Sequence, residues 1–227
     1  MNKDNTKGNA IVDKHDETRK RLVFKLLPYV RKNGIQSLRM DEIAKMMEVS
    51  RATLYKYFST KEEIMGYVVN SFVEYINEMM EDSLDTDQRF GLRFQQLFEQ
   101  SVLSVVYITE VFVKELENSY PEHFDRLQEA MKQREQQVLA FYEEGIAKGI
   151  FHEVNPKLLI RQDELLRSLL EVKYLMENQV TVSQVLHDYY TLKKVQLFTQ
   201  EKMNAVDDTL IAAKIEHLAH KIAKNLY

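Results

Sequence analysis

Apolar positions along this chain recur at helical spacing and almost nowhere alternate. Leu22, Leu26, Tyr29 and Val30 share one face, and Asn33-Gly34 follows, so a first helix is predicted to close at that glycine. Pro28 lies inside the run and removes one backbone donor, which predicts a kink or an early break. Ile43 and Met47, four apart beside the small Ala44, predict a short second helix. Leu54 and Phe58 repeat the spacing and predict a short third one, its apolar face turned toward the second. Val49 is placed to plug the turn between them, and Ser50 to accept a backbone N–H at the start of the third helix. Ser59 with Glu62, or Thr60 with Glu63, has capping-box spacing. Beyond it Ile64, Tyr67, Val68, Phe72, Tyr75, Ile76 and Met79 predict a long fourth helix starting near Lys61.

The remainder reads as helices near Gln88 to Val106, Thr109 to Asn118, Pro121 to Lys148, Pro156 to Glu177, Val182 to Thr199 and Asp208 to Lys224. Pro121 and Pro156 fit first-turn positions, the latter behind Asn155 as cap. Gly149 fits a helix end, and Thr181 with Gln184 a further capping box. Residues 1–16 are polar and predicted to be a disordered tail, whose Lys3, Lys7 and Lys14 are candidates for a DNA-reaching arm. Glu81 to Gln88 is acidic and poor in apolar residues. With only 6 Gly and 3 Pro and no alternating segment, the fold class is all-α.

Composition adds limits. A 227-residue chain with 44% hydrophobic content can bury one large core or two modest ones. The absence of Cys removes disulfide and thiolate chemistry, and no apolar run near membrane-spanning length exists, so a reducing cytoplasm is the natural compartment and no membrane partner is expected. The net charge of −4 is unevenly spread: residues 14–65 carry +5, residues 66–227 carry −9, and the first 13 residues balance. A basic head on an acidic body is the electrostatic footprint of a localised DNA-binding domain. With Leu54 and Phe58 turned inward, Arg51, Ala52, Tyr55 and Lys56 fall on the outward face of the third helix. They offer a fork donor, a small contact residue, a hydroxyl and a cation, a set suited to a major groove. Free amides and positive charge at the next helix start make Lys61 a phosphate clamp that fixes register, not sequence.

In combination, Ile43-Ala44, Val49-Ser50, Thr53-Leu54-Tyr55, Tyr57-Phe58 and Lys61-Glu62-Glu63 resemble the DNA-binding domain of the TetR (tetracycline repressor) family of bacterial transcription regulators, over residues 18–65. The resemblance implies an N-terminal three-helix helix-turn-helix domain at 17–65, followed at 66–227 by a helical dimerisation and effector-binding domain. It implies that Thr53, Tyr55, Lys56 and Tyr57 occupy contact positions, with Arg51 at the start of the reading helix, and that Lys61 binds phosphate. The partners implied are double-stranded DNA, a second copy of the chain and a small-molecule effector. The function implied is a homodimeric repressor of a palindromic operator, released by a small, largely apolar effector. The alternative is an architectural or cell-cycle DNA-associated protein whose body binds a protein partner. Three features depart from the family pattern: Glu48 stands where a turn glycine is usual, predicting a strained or differently shaped turn; Arg39-Met40-Asp41 replaces the usual Ser or Thr cap, so a carboxylate or water must satisfy those amides; and Pro28 interrupts the first helix.

The stretch from Glu144 to Phe151, with Asn155-Pro156 beyond, resembles the family's connection into its dimerisation helices. Leu158, Leu165, Leu169 and Val172, then Val185, Leu186, Tyr189, Tyr190, Leu197 and Phe198, give width enough for a four-helix bundle across a two-fold axis. The last helix, with Ile211, Ile215, Leu218 and Ile222, has two roles open to it: capping the dimer or folding back on the core. An effector pocket would draw on Phe94, Phe98, Tyr107, Phe112, Met131, Phe141, Tyr142 and Tyr174, the same residue types a core needs. His217 and His220 with Glu216 suit a solvated helix face better than a metal. Asp163-Glu164 and Glu143-Glu144 point to different sides of their helices and cannot pair as acid and base. No catalytic constellation is visible, no cofactor is expected, and enzyme is the poorest reading.

Overall fold

A computed structural model describes residues 5–77 and 87–226, with side-chain environments for 15–77, 87–209 and 211–224. The described residues form helices without a strand: α1 (Asn5–Asn33), α2 (Met40–Met46), α3 (Arg51–Tyr57), α4 (Lys61–Asn77), α5 (Asp87–Tyr107), α6 (Glu110–Ser119), α7 (Pro121–Ala147), α8 (Pro156–Gln162), α9 (Leu165–Leu169), α10 (Val172–Asn178), α11 (Val182–Leu197), a 3₁₀ turn (Gln200–Ala205) and α12 (Asp208–Leu226). They gather into two compact units, Met1–Asn77 with Tyr107–Ala130, and Glu78–Val106 with Met131–Tyr227. Lys3, Met79 and most of the acidic stretch after it lie outside the described residues, as do the side chains of Lys7 and Lys14.

In the first unit, α1 buries Leu22, Leu26 and Val30 and packs on α2 and α4, with Ile43 and Ala44 of α2, Leu54 of α3, and Ile64, Met65 and Val68 of α4 buried as well. Two expectations fail here. The helix begins at Asn5, so the segment expected to be a disordered tail up to Asp16 is helical from that residue. At its inner end, the Asp16 carboxylate accepts the Tyr67 hydroxyl at 2.7 Å and is thereby held below its ordinary pKa. Of the kink or early break expected at Pro28, the break does not occur: the helix runs on to Asn33, with Leu26, Leu27 and Val30 on either side buried. It closes where predicted, with Gly34 at φ 72° and its N–H on the Val30 carbonyl.

The helix-turn-helix forms as the apolar spacing requires, with Ile43, Met47 and Leu54 fully buried and Phe58 nearly so. Glu48 takes the left-handed conformation, φ 56°, that the absent glycine would have adopted freely, a strain of about 1–2 kcal/mol. Its carboxylate meets Lys25 at the surface. The carboxylate of Glu42 accepts the Arg39 amide at 2.7 Å, the half of a capping box that an N-cap Ser or Thr does not itself supply. At α4 the Thr60–Glu63 pair is the one that forms: the Thr60 hydroxyl takes the Glu63 amide at 3.1 Å, while the Glu63 carboxylate takes the amide of Ser59 at 2.7 Å.

Helix α6 clasps the turn between α1 and α2. The Glu115 carboxylate accepts the Ile35 amide with both oxygens at 2.8 Å. Thr109 donates to the Arg31 carbonyl at 2.6 Å, and Tyr120 donates to the Gln36 side-chain oxygen at 3.1 Å. The Phe112 ring packs edge-on against Phe72 of α4.

In the second unit, Phe94 and Phe98 of α5 pack on Tyr190 of α11, and Phe90, Phe141 and Phe151 form a contiguous ring cluster that reaches Phe198. The single helix predicted over Pro156 to Glu177 is instead three, α8, α9 and α10. Lys193 of α11 supplies the reason for the first break: its ammonium takes the Leu159 carbonyl at 3.0 Å, and the Asp163 amide bonds three residues back, to Ile160, at 3.1 Å. Helix α12 folds back on α11, burying Ile211, Ile215, Leu218 and Ile222.

Gly34 tests the clasp. A Cβ there would lie 1.8 Å from a Glu115 carboxylate oxygen at a φ that side chains rarely adopt. Gly34→Ala should lower stability by about 1–3 kcal/mol in urea unfolding, and by less in a Glu115→Ala background, where the obstructing carboxylate is gone.

Candidate DNA-binding face and effector cavity

Helix α3 starts at a sequence-encoded cap: the Ser50 hydroxyl accepts the Thr53 amide at 3.0 Å and lies 2.8 Å from the Thr53 hydroxyl. Arg51, Ala52, Tyr55 and Lys56 are exposed, as the inward turn of Leu54 and Phe58 demands, while Thr53 and Tyr57 are half-buried. The Arg51 guanidinium lies over the Tyr55 ring at 5.5 Å, which pre-orders a long side chain on the outer face. The Lys56 ammonium stands 5.7 Å from the Tyr57 ring, whose other neighbour is His15 of α1 at 4.7 Å. Lys61, at the first position of α4, donates to the Gln36 carbonyl at 2.7 Å.

Sequence reasoning missed the residue that ties this face down. Arg19 of α1 donates to the Tyr57 carbonyl and to the Glu63 carboxylate, both at 3.0 Å, with its guanidinium over the Phe58 ring at 5.3 Å. It thus satisfies a carbonyl at the end of α3 and bridges to the start of α4. A cation on an otherwise apolar helix face was the available signal.

The predicted pocket residues part company. Phe94, Phe98 and Tyr142 line one cavity in the second unit. Phe141 is buried in the ring cluster with Phe90 and Phe151, Met131 is exposed, and Tyr174 is half-buried. Tyr107 and Phe112 belong to the first unit, where both pack on Phe72. The cavity, about 10 Å³, is lined by Phe94, Leu97, Phe98, Val138 and Tyr142 together with Ser101, Arg134, Asp163 and Lys193. Arg134 donates to the Ser101 hydroxyl at 2.9 Å, which donates to Asp163 Oδ2 at 2.7 Å. Asp163 Oδ1 accepts the Tyr189 hydroxyl at 2.9 Å and meets the Lys193 ammonium. Burial pushes Lys193 below its ordinary pKa while Asp163 pulls it back, and burial raises the Tyr142 and Tyr189 phenols. Ser101, Arg134, Asp163, Tyr189 and Lys193 were not singled out as part of a pocket from sequence, although Lys193 sits one turn from both Tyr189 and Leu197 on an apolar stripe, where a charge needs a partner.

Residues 30–68, the end of α1 through the first turns of α4, match the family model described as bacterial regulatory proteins, tetR family. Over that segment the chain is similar to the DNA-binding domain of the tetR family. A relative from Bacillus subtilis, the uncharacterized HTH-type transcriptional regulator YvaF, is 24% identical over 172 residues, spanning 74% of this chain and 88% of that protein. Among solved structures, the ketosteroid transcriptional regulator KstR2 of Mycobacterium tuberculosis matches 80% of this chain and 95% of its own at TM-score 0.56 and 18% identity. The TetR family transcriptional regulator PfmR from Thermus thermophilus matches 77% and 94% at TM-score 0.54 and 17% identity. AibR, solved with isovaleryl coenzyme A and operator DNA, matches 77% and 97% at TM-score 0.51 and 13% identity.

The family and relatives that this chain resembles are transcriptional regulators. Among this chain's described residues no group of His, Asp and Glu is placed to hold a metal ion, and no helix is long and apolar enough to cross a membrane. Its reading helix depends on a local cap, so Ser50→Ala should cost about 1 kcal/mol of stability in thermal unfolding, and Ser50→Asn should be close to neutral.

Proposed function

We propose that this regulator is a homodimeric, cytoplasmic repressor that sets two α3 helices into successive major grooves of a palindromic operator and leaves it when a small effector binds the second unit. The observation that carries the reading is the outer face of α3, where Arg51, Ala52, Tyr55 and Lys56 stand exposed on a frame fixed by Arg19 and Ser50. Arg51 and Lys56 read base edges with Thr53 and Tyr55 beside them, Ala52 allows close approach, and Tyr57 and Lys61 engage phosphates. Centre-to-centre half-site spacing of about 34 Å or somewhat more follows from one helical turn of DNA.

Dimerisation is supported by apolar side chains left exposed on the helices after Pro156: Leu158 of α8, Leu165 of α9, Met176 of α10, and Leu192 and Val195 of α11. Scattered apolar residues are ordinary on a surface, but five large ones on four consecutive elements suit a partner helix face. The effector is supported by the mixed apolar and polar cavity, and by the isovaleryl coenzyme A bound to the structurally similar AibR.

Selection from fragmented genomic DNA of its source, followed by sequencing of what is retained, tests the reading. A few sites sharing an inverted repeat are expected; broad, salt-sensitive retention without a shared motif would overturn it. On a recovered site, Lys61→Ala should weaken binding to every sequence alike and reduce the salt slope by about 1, whereas Arg51→Ala should cost about 1–3 kcal/mol on the operator and little on random DNA. Equal losses on both DNAs for Arg51→Ala would sink that division of roles. Leu165→Glu combined with Val195→Glu should turn a dimer into a monomer in light scattering.

A further inference from the structure

We propose that Arg51 reads a guanine in each half-site of the operator, and that Tyr55 is the residue that holds Arg51 in position to do so. The proposal rests on the repressor reading above and names the base that this reading helix prefers.

Arg51, Ala52, Tyr55 and Lys56 stand exposed on the outer face of α3, and of these only Arg51 carries a planar fork of donors. Among the described residues Arg51 has no carboxylate partner, and its guanidinium lies over the Tyr55 ring, 5.5 Å from the centroid. Thr53 is already engaged: its amide and its hydroxyl both meet the Ser50 hydroxyl, at 3.0 and 2.8 Å. The Lys56 ammonium lies by a different ring, that of Tyr57, at 5.7 Å.

A guanidinium only donates, so the base edge that satisfies its fork is one with two acceptors side by side. In the major groove guanine alone offers that, through N7 and O6. Adenine sets a donor beside its N7, cytosine presents a donor, and thymine has a single acceptor next to its methyl group. The recognition helix of a helix-turn-helix meets base edges with its N-terminal residues, and Arg51 is the first residue of α3.

Tyr55 follows one turn later on the same face. A long side chain loses rotamer freedom when it is fixed on a base, and a ring that already holds it lowers that loss. Contact with the ring uses the face of the guanidinium and leaves its N–H edge for the base. Tyr55 is 42% exposed, so its ring stands at the surface, outside the core. Ser50 at one end of α3 and Arg19 at the other fix the helix on which both residues stand. Tyr55 is thus a positioning residue, whose effect on DNA passes through Arg51 and is confined to one base pair of each half-site.

The test is selection of binding sites by the full-length protein from a randomised duplex library, then competition between the selected site and the same site with its guanine replaced by adenine. Wild type should enrich an inverted repeat with one guanine fixed in each half, preferred over adenine by about tenfold or more. Arg51→Lys keeps the charge and loses the fork; it should abolish that preference and leave the other positions of the repeat as they were. Tyr55→Leu should lower the same preference by about two- to fivefold and add nothing to the effect of Arg51→Lys when the two are combined. Tyr55→Phe keeps the ring without its hydroxyl and should rescue what Tyr55→Leu loses. An inverted repeat with no guanine that responds to Arg51→Lys would overturn the proposal and leave the repressor reading standing. Tyr55→Leu matching wild type, or either Tyr55 variant weakening every sequence alike as loss of a phosphate contact does, would overturn the positioning role. Wild type that enriches no repeat would overturn the repressor reading itself, and the proposal with it.

Discussion

The position of the reading head depends on one backbone amide, that of Ile35, being claimed by the carboxylate of Glu115. Ile35 lies just beyond the end of α1, outside that helix's own bonding, and leaving its amide buried and unpaired costs about 1–3 kcal/mol. Glu115 removes that cost from 80 residues away in sequence, and Gly34 leaves the carboxylate room to approach. The same turn presents Gln36 to two further elements, its carbonyl to Lys61 and its side chain to Tyr120. The three helices of the head are therefore completed by a fourth, α6, that no helix-turn-helix pattern contains.

What was legible in the sequence was what is local. Ile43, Met47, Leu54 and Phe58 repeat within a single turn of helix, and Ser50, Thr60 and Thr181 cap the chain a few residues ahead, so periodicity and cap chemistry located α2, α3, α4 and α11. Even the departure at Glu48 was readable, because the turn demands a left-handed residue whatever side chain is there. The parts that escaped are set by contacts far apart in the chain. Nothing near Leu159 announces that Lys193 will take its carbonyl, so the break after α8 was invisible. Pro28 was expected to kink or break α1 on local grounds, and buried neighbours carry the helix past it without a break. The pocket residues failed to assemble as one set because an aromatic ring at helical spacing looks the same whether it fills a core, as Phe112 does, or faces a cavity, as Phe98 does.

Charge is used in two different ways. At the surface it is abundant and individually weak: pairs such as Lys114–Glu110 and Lys173–Glu177 are exposed and contribute at most about 1 kcal/mol each. Its value there is collective, a basic head that seeks DNA and an acidic remainder that does not. Inside the second unit charge is scarce, and each group is held in place by several others.

The interruption between α8 and α9 gives that inner cluster a mechanical meaning. Helices of seven, five and seven residues are too short to persist alone, so α8, α9 and α10 borrow their stability from what they rest on. Asp163 sits at the splice between the first two, and Lys193 grips both its carboxylate and the carbonyl of Leu159. The segment is a splinted joint in place of a rod. Whatever loosens the splint therefore acts first on the segment that carries Leu158 and Leu165.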